Sequence, residues 1–310
     1  MSNPNFNEIL TTTLANYRKT LADNVFTARP LTYWLMNKGR IRMVNGGTKI
    51  VEPLIYGQNS TVAPYSGYDS ISLTAQTGIT AAEYDWKQYA VSIAISGIEE
   101  AKNNGEQQII NLLEAKIMQA EESMKEGFNT MFFADGSATN AWNGLGNIVE
   151  ASGTVGGINR ATAGNEYWRS YEENTALTLT LAQMTTAYNT VSVGSDLPDT
   201  VLTTQALYEK YESLLVPQLR YTDTDTANAG FQNLLFKSAP VMYDTACTAG
   251  NVYFLNSKYL TLVGHSDKWF AHTDFVRPTA QDARFALILC YGNLTCRNAK
   301  KQGKLTAKTA

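Results

Sequence analysis

The residues best able to do chemistry are few and scattered. The sequence holds two histidines, His265 and His272, and three cysteines, Cys247, Cys290 and Cys296. A nucleophilic triad needs a histidine beside a poised nucleophile, with a third group orienting the ring. His265 lies in Gly264-His265-Ser266-Asp267, which reads as a turn, so both histidines are expected to be structural or solvent-facing. A structural zinc site needs four ligands at recognisable spacing, and these five residues do not supply it. Asp223-Thr224-Asp225 resembles the start of a calcium loop but lacks the glycine and the bidentate glutamate that follow in an EF-hand. Glu99-Glu100 and Glu121-Glu122 are adjacent in sequence on helices, where neighbours do not face each other. The glycine-rich stretches Gly144-Leu145-Gly146 and Gly153-Thr154-Val155-Gly156-Gly157-Ile158 fit neither GxGxxG after a strand nor a P-loop. The expectation is no catalytic residue, no metal and no cofactor.

The elements that hold these residues say more. Residues 48–56 and 84–95 read as two strands of an open hairpin, the second alternating Tyr89, Val91, Ile93 and Ile95 with Gln88, Ala90, Ser92 and Ala94. Pro53 argues for an edge position. Between them, residues 57–82 are polar and long, and loops of that length are usually functional or disordered. Tyr65 and Tyr68 within the tip suit contact with a partner, because tyrosine gives large contact area at low entropy cost. Residues 106–132 then read as one helix. Glu106, Ile110, Leu113, Ile117, Ala120, Met124, Phe128 and Met131 recur every three or four positions, and Asp135-Gly136 stops it. A projecting, charge-poor arm followed by a long helix suits a subunit that lays the arm on a neighbour.

Helices are also read at 6–24, with Ile9, Leu10, Leu14, Tyr17 and Leu21 on one face, and at 31–36 around Trp34. Further helices fall at 181–191, with Thr180 as N-cap, and at 205–216. Strands are read at 200–203, 231–236, 241–243, 252–255, 259–263, 269–276 and 284–296, with a polar loop over 222–230. The irregular mixture favours α+β over a doubly wound sheet.

Composition fits this picture. The chain has 310 residues, of which 44% are hydrophobic and 17% charged, against about 25% charged for an average domain. Low charge suits surfaces that become buried between subunits. The formal net charge of −3 is unevenly spread. Arg18, Lys19, Arg29, Lys38, Arg40 and Arg42 near the start, and Arg297, Lys300, Lys301, Lys304 and Lys308 near the end, leave the middle acidic. Basic ends can touch phosphates weakly, but no basic helix or zinc-finger spacing indicates specific DNA recognition. Few cysteines imply buried free thiols rather than a disulfide framework. Met1-Ser2-Asn3-Pro4-Asn5 does not open a secretion signal, and no run approaches the ~20 apolar residues of a membrane span.

The order of parts, an arm, a glycine turn, a projecting hairpin, a spine helix and a mixed second domain, resembles the tailed-bacteriophage major capsid proteins of the Hong Kong 97 fold. The local stretches that carry the resemblance are Gly46-Gly47-Thr48-Lys49-Ile50, Tyr84-Asp85-Trp86-Lys87-Gln88-Tyr89 and Gly144-Leu145. To these add Gly156-Gly157-Ile158-Asn159-Arg160, Tyr167-Trp168-Arg169 and Gly292-Asn293-Leu294. The resemblance implies an N-terminal arm over 1–45 and an extended-loop hairpin over 46–96. It implies a peripheral domain with the spine helix over 97–136, an axial domain over 137–262 and a return to the peripheral domain over 263–310. It implies hexamers and pentamers closing into an icosahedral head around double-stranded DNA, assembled in the host cytoplasm with a portal protein. Because the arm begins close to Met1, scaffolding is expected to be a separate protein or absent. Some relatives cross-link through a lysine in the extended loop. No lysine lies between Gly57 and Glu83, so no covalent link is expected there. Trp34, Tyr65, Tyr68, Tyr84, Trp86, Trp168 and Arg169 are the expected subunit-interface residues. The competing readings are an encapsulin-like compartment shell, a receptor- or carbohydrate-binding virion domain and, last, an enzyme of unrecognised type.

Overall fold

The computed structural model describes residues 29–102, 106–215 and 234–310. The helix read at 6–24, the loop at 222–230 with its Asp223-Thr224-Asp225, and residues 231–233 lie outside them. The described chain is α+β. It opens with α1 (Pro30–Asn37) and β1 (Ile41–Val44), then β2 (Ile50–Ile55), β3 (Ile79–Tyr84) and β4 (Lys87–Ser96). Helices α2 (Gly97–Lys102) and α3 (Glu106–Phe133) follow, then α4 (Leu145–Ile148) and the short ribbon of β5 (Thr154–Val155) and β6 (Ile158–Asn159). Next come β7 (Tyr171–Asn174), α5 (Leu181–Val191), β8 (Thr200–Thr203), α6 (Gln205–Leu214), β9 (Leu234–Phe236) and β10 (Ala239–Tyr243). The described chain closes with β11 (Val252–Leu255), β12 (Leu260–His265), β13 (Ala271–His272), β14 (Ala283–Cys296) and β15 (Gly303–Thr306).

Helix α3, 28 residues long, spans about 42 Å at 1.5 Å per residue. Its stripe is buried as the periodicity requires: Ile117, Ala120, Met124 and Phe128 all lie in the core, while the side chains of Glu106, Ile110 and Leu113 are outside the described set. Phe128 meets Trp142 edge-on at 5.4 Å and Tyr89 at 4.8 Å, the offset geometries aromatic quadrupoles favour. The helix packs on β4, whose Ile93 and Ile95 are buried while Ala90, Ser92 and Ala94 are exposed.

Two large sheets stand beside the two-stranded ribbons β2–β3 and β5–β6 among the described residues. In the first, β14 is the axis: residues 283–292 pair antiparallel with β4, and residues 292–296 pair with β12, which pairs in parallel with β1. The second has the order β7-β15-β11-β8-β10-β9. Helices α5 and α6 cover one face of it, with Met184, Tyr188, Leu207 and Tyr211 against Val201, Phe254 and Leu305. Leu202, Tyr253 and Leu255 point the other way into the core that α3 shares. The α5 N-terminus forms a capping box between Thr180 and Gln183, as its sequence predicts.

The structure changes several expectations. The hairpin partner of β2 is β3, in full register from Ile50↔Tyr84 to Ile55↔Ile79. Residues 87–96, expected as the returning hairpin strand, instead join β14 in the body. The alternation that marked them reflects burial against α3, not against β2. Of the strand expected at 269–276, only Ala271–His272 and a bridge at Val276 form. The expected 262/263 boundary cuts β12. Residues 41–44, expected within the arm, are a sheet strand, and β15 belongs to the second sheet rather than the first.

Candidate assembly surfaces

The β2–β3 ribbon has a fixed root and a free tip. At the root Ile50, Glu52 and Leu54 share the inward face of β2 by two-residue periodicity, and all three are buried. A buried carboxylate needs cationic partners. Glu52 has two, Arg42 on β1 and Arg297 just past β14, the latter with Nε at 2.6 Å. Tyr84, opposite Ile50, donates to the Cys296 carbonyl at 2.9 Å and accepts from the Cys296 amide at 3.1 Å. Burial holds the Tyr84 phenol well above its ordinary pKa. Gly46 and Gly47 enter the ribbon with φ of +126° and +114°, a backbone that favours glycine. The Trp86 indole fastens that turn by donating to the Gly47 carbonyl at 2.8 Å.

Beyond residue 57 the tip of the ribbon is exposed almost throughout. Gly57 and Gly78 close its neck, with Tyr56 N–H donating to the Gly78 carbonyl at 2.9 Å. Val62, Tyr65, Ile71 and Leu73 are exposed, Leu73 at 94%, and Tyr68 is entirely open. The side-chain hydrogen bonds of the tip, such as Ser60 to Gln76 and Ser66 N–H to Asp69, stay within the tip. Several large apolar side chains on one projecting loop form the kind of surface that marks an interaction site.

Of the expected interface residues, Tyr65 and Tyr68 are exposed on the tip. Trp34, Tyr84 and Trp168 are core residues of the subunit. They are corrected to that role because a fully buried ring has no face left for a neighbour. The Trp168 indole donates to the Val155 carbonyl at 2.9 Å. Trp86 is half-buried and committed to Gly47 and to an edge contact with His265. Arg169 donates through Nε to the Arg160 carbonyl at 2.7 Å. Sequence reasoning passed over Val62, Ile71 and Leu73, whose signal was aliphatic residues isolated in a polar run. It also passed over Glu52, whose signal was a lone acid on the apolar side of a strand.

The basic C-terminal stretch is corrected too. Lys308 is fully enclosed between Glu173 Oε1 at 2.7 Å and the Thr175 carbonyl at 3.0 Å, Lys304 pairs with Glu172 at 3.2 Å, and Lys301 is buried. Arg297 reaches in to Glu52 from a partly exposed position, and Lys300 is exposed. Elsewhere, the three cysteines are buried, and burial pushes the Cys296 thiol up to about 12. Among the described residues no cluster of three or more His, Cys, Asp or Glu can hold a metal. No helix among them is long and apolar enough to cross a membrane. A groove of 290 Å³ between β4 and α3 is lined by Val91, Ile93, Gln119, Ala120 and Ser123 and brings no acid–base pair together.

No protein-family model and no curated protein matches the chain. Solved structures do. A cyanophage A-1(L) capsid subunit superposes with a TM-score of 0.63 at 16% identity, covering 89% of this chain and 93% of that one. The capsid of a native GTA particle gives 0.55 at 11% identity, covering 89% and 90%. The holo-SrpI encapsulin complex of Synechococcus elongatus gives 0.55 at 11% identity, covering 89% and 88%. The chain therefore has the Hong Kong 97-type shell fold.

Proposed function

We propose that this chain is a major capsid protein, a structural subunit that self-assembles through its arm into the shell of a phage head. The single observation that carries the reading is the arm: an internally latched root holding out a tip whose Val62, Tyr68 and Leu73 stand exposed. The shell fold, matched over most of the chain, supports it. Hexamers and pentamers around double-stranded DNA, with a portal and a separate scaffold, extend the reading, as do a place in the virion and assembly in the host cytoplasm. The peripheral and axial domains correspond to the first and second sheets. Contact with packaged DNA is not attributed to Lys304 and Lys308, which are internally paired.

The test is to express the full chain beside a variant in which residues 58–77 are replaced by Asn-Gly. Gly57 and Gly78 already face each other across the neck, and Asn-Gly favours the two-residue hairpin turn. Light scattering and electron microscopy should show shells or capsomers for the full chain and only folded subunits for the variant. Normal particles from the variant would refute the arm's role. The encapsulin-like reading, favoured by the Synechococcus match, predicts particles that carry protein cargo rather than DNA.

A further inference from the structure

Resting on the shell-subunit reading, we infer that residues 153–169 form a bracket that sets the angle of the arm, with Tyr167 as the contact and Arg160 as the residue that stiffens the bracket. The loop touches the ribbon on the same inward face as the Glu52 latch, where Ala82 stands opposite Glu52 in the register. Tyr167 stacks on Tyr56 at the neck, with ring centroids 4.8 Å apart and planes 23° from parallel. Glu83 N–H on β3 donates to the Gly156 carbonyl at 2.9 Å. Gly156, at φ +60°, lies so close that a Cβ there would sit 2.7 Å from the Ala82 methyl.

A loop rich in glycine makes a poor support unless something stiffens it, and Arg160 does so. Its side chain is fully buried and paired with no carboxylate. Instead the guanidinium donates to four backbone carbonyls: Trp168 at 3.0 Å, Asn147 at 2.9 Å, Ser152 at 3.0 Å and Ile148 at 2.6 Å. Burial lowers the Arg160 pKa, yet arginine stays charged in proteins. The fork geometry gathers the start and end of the loop onto one planar group, and the adjacent Arg169 closes it by donating to the Arg160 carbonyl. An arm held at one angle loses less freedom on docking, and such preorganisation raises affinity without a new contact.

The test measures arm angle and assembly separately. Spin labels at Thr74→Cys on the tip and Thr190→Cys on α5 report the distance distribution, since the native cysteines are buried. Tyr167→Ala should broaden that distribution, lower the unfolding midpoint only slightly and raise the subunit concentration at which particles form by roughly fivefold, the scale of one lost aromatic pair. Tyr167→Phe keeps the stack and should match the parent in all three. Arg160→Lys should broaden the distribution as well, with a lower midpoint. An unchanged distribution in Tyr167→Ala, or a Phe variant that behaves like Ala, overturns the bracket. A broadened distribution with an unchanged assembly threshold overturns its role in assembly. If the parent forms no particles while the distribution still broadens, the shell reading fails and the bracket stands as a property of the subunit.

Discussion

The arm tip and the C-terminal stretch both look solvent-facing in the sequence, and the fold sends them opposite ways. Residues 57–78 hold Gly, Ser, Thr, Asn and Tyr; residues 297–310 hold five basic residues and no acid. The first projects with its aliphatic side chains bare. The second becomes β15, an inner strand between β7 and β11. What separates them is the supply of partners within the chain. β7 offers Glu172 and Glu173, placed by the parallel register opposite Lys304 and Leu305, so the lysines can be enclosed as ion pairs while their backbone completes a ladder. No element of the described subunit offers Val62 or Leu73 an apolar surface. Polarity alone therefore does not predict exposure, and a segment with no internal partner marks where another chain is needed.

The strongest way to break this comparison is to remove each segment. Deleting residues 303–310 opens the second sheet along its inner strand and strips the covering from Leu179, Val191 and Phe254. We expect no soluble folded subunit, checked by circular dichroism and gel filtration. Replacing residues 58–77 by Asn-Gly should leave the unfolding transition in place, because the tip contributes nothing to either core. A C-terminal deletion that folds normally would collapse the contrast.

Single substitutions sharpen it. Lys308→Ala leaves Glu173 without its cation in a largely buried setting and should cost about 3 kcal/mol, the scale for breaking an enclosed ion pair. Urea unfolding measures this directly. On the tip, the double change Tyr68→Ser with Leu73→Ser should shift stability by less than ~0.5 kcal/mol and still reduce particle yield. A loss of stability comparable to that of Lys308→Ala would mean that the tip packs on its own subunit in solution.

Much of the fold was legible because burial imposes a period. The stripe on α3, the capping box at Thr180 and the strand at 200–203 all follow from local pattern, and the order of elements carried the shell fold. What was not legible depended on pairing at a distance. The alternation in β4 is the same whether its partner is β2 or β14, so the sequence could not name a partner 187 (Ser96↔Ala283) to 205 (Lys87↔Gly292) positions away. The lysines of β15 could not reveal Glu172 and Glu173 across a parallel crossover. Glu52 was half legible: its parity with Ile50 and Leu54 required a cation, but nothing local pointed to Arg297. Trp34, Tyr84 and Trp168 turned out to be core residues for the same reason. Tryptophan and tyrosine serve interfaces and cores alike, and only the tertiary contacts of Tyr84 and Trp168 decide between them.

The smallest effect concerns a surface acid that does find an internal partner. Asp196, in the turn after α5, accepts from Lys258 Nζ at 2.8 Å and from the Tyr259 hydroxyl at 2.7 Å. These two hydrogen bonds, Lys258 first, hold its pKa below the ordinary aspartate value. A carboxylate whose folded pKa lies below its unfolded one stabilises the fold fully above the unfolded value, about 3.9. The contribution is lost as pH falls through the lower, folded value. Stability of the parent should therefore fall below about pH 4, and Asp196→Asn should flatten that part of the curve. Thermal unfolding across pH 2 to 6 reads the difference. A variant whose acid limb is as steep as the parent's would show that Asp196, despite its partners, behaves like the unpartnered surface of the tip.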